Sequence, residues 1–116
     1  MKHHEAPTPV RIAVVHDEPL LRDLLARAFA SCEELDVGFN VASGEALLET
    51  LQTAENAPPQ ASPKPFDVLL TDVVLGPGID GLELSRRLRE RYPDLGIVLL
   101  SDHVIPASIA KLGALR

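Results

Sequence analysis

The chain has 116 residues, with Lys+Arg 11 against Asp+Glu 17 for a formal net charge of −6; it is 46% hydrophobic and 24% charged, with one cysteine and no tryptophan. A chain of this length buries roughly two-thirds of its unfolded surface, enough for one core and no second domain. The acidic balance and 3% aromatic content argue against a direct nucleic-acid partner, because phosphate contacts need Lys and Arg and single-stranded sites need stacking rings. No apolar run approaches the roughly 18 residues of a membrane span, and the N-terminus lacks the apolar stretch of a secretory signal, so no membrane contact and a cytoplasmic location are expected.

Residues 1–9, with Glu5, Pro7 and Pro9 beside two histidines, read as a polar tail ahead of a single domain over 10–116. Val10-Arg11-Ile12-Ala13-Val14-Val15 is short, β-branched and almost wholly apolar, the pattern of a strand buried on both faces of a parallel sheet. His16-Asp17-Glu18 ends it. Pro19 suits a first helical turn, and Leu20, Leu21, Leu24, Leu25, Ala28 and Phe29 repeat at helical spacing, so a helix is expected over 19–31. Cys32 at its end reads as a small buried hydrophobe. Leu35, Val37, Phe39 and Val41 alternate with smaller or polar neighbours, as in an edge strand over 35–41.

Ser43 is a natural N-cap for a helix carrying Leu47, Leu48 and Leu51, which gives way to a proline-rich internal loop at 54–65. Residues 66–71 form the third expected strand, ending at Asp72, and a glycine-rich connection at 76–81 leads into a helix over 82–91. Residues 97–100 are the fourth strand, ending at Ser101-Asp102, and Ile105, Ile109 and Leu112 sketch a short final helix. The alternation of strand and helix predicts an α/β doubly wound parallel sheet with right-handed crossovers and helices on both faces.

In such sheets ligands bind beyond the carboxyl ends of the strands, where the strand order reverses. With the order 2-1-3-4, the first and third strands are neighbours, and His16-Asp17-Glu18 shares a crevice with Asp72. Carboxylates brought together repel unless a cation neutralises them, and Mg²⁺ with oxygen ligands fits that need. A carboxylate beside such an ion is a competent nucleophile toward a phosphoryl group, and the Ser101 hydroxyl could bond a phosphoryl oxygen.

Residues 14–19, 66–72, 80–84 and 97–101, in this order and at these spacings, resemble the receiver domain of bacterial two-component response regulators, over about residues 10–116. The resemblance implies a flavodoxin-like sheet and Asp72 as the phosphoacceptor. It also implies Asp17 and Asp72 as Mg²⁺ ligands, Ser101 as a switch hydroxyl, and a histidine kinase or phosphotransfer protein as partner. Two departures stand out. The first of the family's two adjacent acids aligns with His16, which offers nitrogen where Mg²⁺ prefers oxygen; Glu18 is the nearest acid available as a substitute. The fifth strand with its phosphoryl-binding lysine, and the fifth helix, are not found after Gly113, so a homodimer or strand-completing partner is expected at the exposed fourth strand.

Other motifs are weaker. Residues 76–81 spell GxGxxG with Asp102 about 21 residues beyond, but Pro77 removes an N–H donor and the motif follows the third strand, which disfavours dinucleotide binding. Arg86, Arg87, Arg89 and Arg91 read as a solvated helix face near the favourable end of the dipole. No Ser–His–Asp set, metal-spaced Cys/His set or P-loop is visible, so a signalling module is expected in place of an enzyme. A phosphorylation-independent interaction module is the alternative.

Overall fold

The structure is a computed structural model and describes residues 8–55 and 64–101. Its elements are β1 (Val10–Val15), α1 (Pro19–Ala30), β2 (Leu35–Val41), α2 (Gly44–Glu55), β3 (Val68–Asp72), α3 (Gly81–Arg91) and β4 (Gly96–Leu100). The four strands are all parallel in the order β2-β1-β3-β4, the doubly wound flavodoxin-like arrangement expected from the sequence. The final helix, the fifth strand, most of the 1–9 tail and most of the proline-rich segment concern residues outside the described ones.

Local chemistry sets the element ends. Ser43 caps α2, its Oγ accepting from Ala46 N–H at 3.0 Å. Asp80 caps α3, accepting from Glu83 N–H at 2.8 Å. β3 begins two residues later than the apolar run suggests because the Asp67 carboxylate takes the Arg11 N–H at 2.9 Å, while the Asp67 backbone joins Arg11 O and Gly96 N–H. A side chain there does the work of a ladder bond. In β2 the pairing with β1 slips between Ile12 and Ala13, so that Gly38 is the extra residue of a bulge.

Strand alternation divides the core. Ala13, Val15 and Leu69 face a layer built from Leu47 and Leu51 of α2 and Leu84 and Leu88 of α3, with Phe66, Leu75 and Leu95 closing its ends. Ile12, Val14 and Leu70 face the other way, against Leu25 and Phe29 of α1. The two layers are unequal: α1 has no buried residue, and its Leu20 and Leu24 are 67% and 53% exposed. Cys32 is half-buried, a correction to the buried reading, because it lies in the turn after α1, with its N–H bonded to Phe29 O.

Candidate functional site

β1 and β3 pair in register as far as Val15 and Thr71. His16 extends β1 by donating its N–H to Val41 O at 3.1 Å, and Val73 extends β3 by donating to Leu100 O at 2.9 Å. The next positions across the two strands are therefore His16 and Asp72, side by side at the carboxyl edge. His16 Nε2 lies 3.5 Å from Asp72 Oδ2, and Nδ1 lies 3.7 Å from Asp17 Oδ1. One donor atom from each of His16, Asp17 and Asp72 falls within 4.8 Å of the others, an arrangement able to hold a metal ion.

The three differ in exposure in a way that suits different tasks. The His16 side chain is only 9% exposed, Asp72 21% and Asp17 45%. Asp72 is thus open to a reactant from one side while its neighbour forms the floor. Thr71 is fully buried beneath it. Arg22 of α1 reaches back to donate to the His16 carbonyl at 2.9 Å, tying the helix to the site. Ser101 follows Leu100, the residue in register with Asp72, and is exposed at the same edge.

Glu18, considered as a substitute ligand, caps α1 through Leu20 N–H at 3.1 Å and stands outside the metal-capable group of His16, Asp17 and Asp72. Glu18 is the N-cap of that helix. Asp17, one residue earlier, is a member of that group.

The glycine-rich connection serves the site structurally. Gly78 has φ +104, and a Cβ there would strike the Glu45 carboxylate. Gly81 starts α3 so close to Asp72 that a Cβ would run into the Asp72 carbonyl oxygen. Glu45 of α2 accepts from Ile79 N–H at 2.7 Å, a bond that holds its carboxyl below the usual range. With Ile79, Glu83 and Gly81 N–H groups given to Glu45, Asp80 and Val73, the donors a pyrophosphate needs are already engaged, which argues against dinucleotide binding. Glu45 and Arg22 leave no signal in the sequence, whereas Asp80, three residues before Glu83, carries a capping signature.

On α3, Arg86 and Arg87 clasp Glu83 at 2.7 and 2.8 Å, and together they lower its carboxyl to about 2. Arg86 also pairs with Glu90 at 2.8 Å. Arg86, Arg87 and Arg91 lie on the solvated face expected of the run, whereas Arg89 is half-buried. No described helix is long and apolar enough to cross a membrane.

Comparison with known proteins agrees with this geometry. The model of the response regulator receiver domain family matches residues 12–114. Response regulator GacA of Pseudomonas viridiflava is 33% identical over 108 residues, 90% of this chain and 45% of that protein. A protein-glutamate methylesterase/protein-glutamine glutaminase of Rhodospirillum centenum is 32% identical over 108 residues, 93% of this chain and 25% of that protein. The chain thus spans less than half the length of these curated relatives. Among solved structures, the signal receiver domain of NarL from Mycobacterium tuberculosis superposes with a TM-score of 0.74 at 27% identity, covering 94% of this chain and 79% of that one.

Proposed function

The chain belongs to the response regulator receiver domain family, and on that premise we propose that it is a phosphoacceptor module of two-component signalling. In this reading a single domain over 10–116 takes a phosphoryl group on Asp72 from a histidine kinase or phosphotransfer protein. The observation that carries it is the position of Asp72: a partly exposed carboxylate at the end of a central strand, beside Asp17 and His16. An Asp72 oxygen attacks phosphorus; the new O–P bond forms as the donor's N–P bond breaks, and the electron pair leaves on the donor imidazole nitrogen. The Ser101 hydroxyl at the same edge is placed in this reading as a donor to a phosphoryl oxygen.

Receiver domains generally bind Mg²⁺ through acidic residues. The Asp17 and Asp72 carboxylates suit a divalent cation, which when bound offsets the charge of the incoming oxygens. The third donor does not suit Mg²⁺, because His16 contributes nitrogen. That substitution favours a second reading, an interaction module that keeps the fold without the chemistry.

Intact-mass spectrometry after incubation with acetyl phosphate and a divalent cation separates the two. A phosphoryl mass gain, removed by hydroxylamine and lacking in Asp72→Asn, is the expected result. A folded parent chain that gains no mass with any cation overturns the phosphoacceptor reading and leaves the interaction module.

A further inference from the structure

The imidazole in this cluster is an integral part of it. His16 is held by backbone bonds on both sides, its N–H to Val41 O and its carbonyl to Arg22. Its side chain is nine-tenths buried, with Nε2 directed at Asp72 Oδ2 from 3.5 Å, and Nε2 makes no other polar contact among the described residues. Two donors held about 2.1 Å from one ion stand about 3.0 to 3.4 Å apart at octahedral or tetrahedral angles. The observed spacing is therefore close to that of neighbouring ligands on a shared ion.

We propose that His16 Nε2, Asp17 and Asp72 form a mixed nitrogen and oxygen site whose imidazole shifts cation preference away from Mg²⁺ toward first-row transition ions such as Mn²⁺, Co²⁺ or Zn²⁺. This rests on the receiver reading for the need of a cation. The chemistry is that of donor type: Mg²⁺ takes oxygen and dehydrates reluctantly, whereas imidazole nitrogen suits the transition ions.

The hydrogen-bond pattern sharpens the discrimination. Glu18 N–H donates to His16 Nδ1 at 3.1 Å, so in the neutral ring the proton sits on Nε2, facing Asp72. Coordination through Nε2 moves that proton to Nδ1, which then faces Asp17 Oδ1, 3.7 Å away, and Glu18 N–H loses its acceptor. Only an ion that gains from nitrogen coordination repays that rearrangement. Mg²⁺ does not, so it is left with two carboxylates.

The test uses the full chain carrying His3→Ala and His4→Ala, which removes the amino-terminal imidazoles as competing ligands. Calorimetric titrations with MgCl₂ and CoCl₂ are run on this chain and on His16→Asp and His16→Gln, each checked for fold by circular dichroism. All-oxygen sites also bind Co²⁺ more tightly than Mg²⁺, so the deciding quantity is the change in the affinity ratio. His16→Asp is expected to lower the Co²⁺ to Mg²⁺ ratio about tenfold or more, mainly by tightening Mg²⁺. His16→Gln is expected to weaken Co²⁺ without that gain. In the parent, His16 Nε2 should show the large shift of direct coordination on addition of Zn²⁺ and no such shift with Mg²⁺.

An unchanged ratio in both variants, or His16 ring signals unmoved by Zn²⁺, overturns the assignment. Phosphoryl uptake is read separately. A chain that binds Co²⁺ through His16 yet accepts no phosphoryl group refutes the receiver chemistry and leaves the metal assignment standing.

Discussion

Gly81→Ala offers a sharp test of how tightly α3 is set against the phosphoacceptor strand. An added Cβ would collide with the Asp72 carbonyl oxygen and come within 2.9 Å of its carbon and 3.2 Å of Thr71 Oγ1. β3 lies between β1 and β4, and Thr71 is fully buried, so the strand cannot yield and the start of α3 must retreat by about an ångström. Overpacking against backbone costs about 3 kcal/mol, and the helix-favouring change from Gly to Ala returns about 1 kcal/mol, for a net loss of about 2 kcal/mol. With a urea m-value of about 1.5 kcal/mol/M for a domain of this size, the midpoint should fall by about 1.3 M. Far-UV circular dichroism is the readout, as the chain has no tryptophan. Gly38→Ala is the internal control: nothing lies within 4 Å of its added Cβ, so stability should hold or rise by about 0.5 kcal/mol. A Gly81→Ala midpoint equal to or above that of Gly38→Ala would falsify the close-approach argument.

Three further outcomes follow from the same structure. Phe66 is fully buried and meets Phe39 edge-to-face at 5.5 Å, so Phe66→Ala should cost about 3–5 kcal/mol in urea unfolding, with Phe66→Leu well below that. Asp67 has its carboxyl lowered, first by the Arg11 backbone N–H and then by the Arg11 side chain. The stability it contributes is present above its unfolded pKa of about 3.9 and is lost as pH falls through the lower folded value. With both side chains about a third exposed, solvent screening limits the effect to about 1 kcal/mol. Asp67→Asn should therefore flatten the acid limb of the stability profile below about pH 4, and an unaltered limb counts against the bond. Glu45→Ala should speed amide exchange at Ile79, whose N–H it holds at 2.7 Å, while exchange in β1 and β3 stays as it was. Equal protection in the variant would mean that the loop is held some other way.

Much of this protein is legible in its sequence because periodicity and element order are local facts. The apolar run of Val10–Val15, the helical repeat of leucines after Pro19 and the alternation in Leu35–Val41 each state their element without outside help. Their succession implies parallel crossovers, and these bring the strand-end acids to one edge. Asp72 and Asp17 could be named as a pair for that reason. Boundaries were less legible where a side chain replaced a backbone partner, as Asp67 does before β3.

Only the tertiary structure could decide how the site is finished. Register alone sets His16 opposite Asp72 with Nε2 turned toward it, and this makes the imidazole a member of the cluster. It also separates Glu18, drawn off as a helix cap, from Asp17, one residue earlier in the chain. The hold of Glu45 on Ile79 spans 34 positions in sequence and leaves no periodic trace. The sequence specifies which residues are apolar and in what rhythm; orientation at the sheet edge follows from pairing with strands distant along the chain, and only the folded chain contains that pairing.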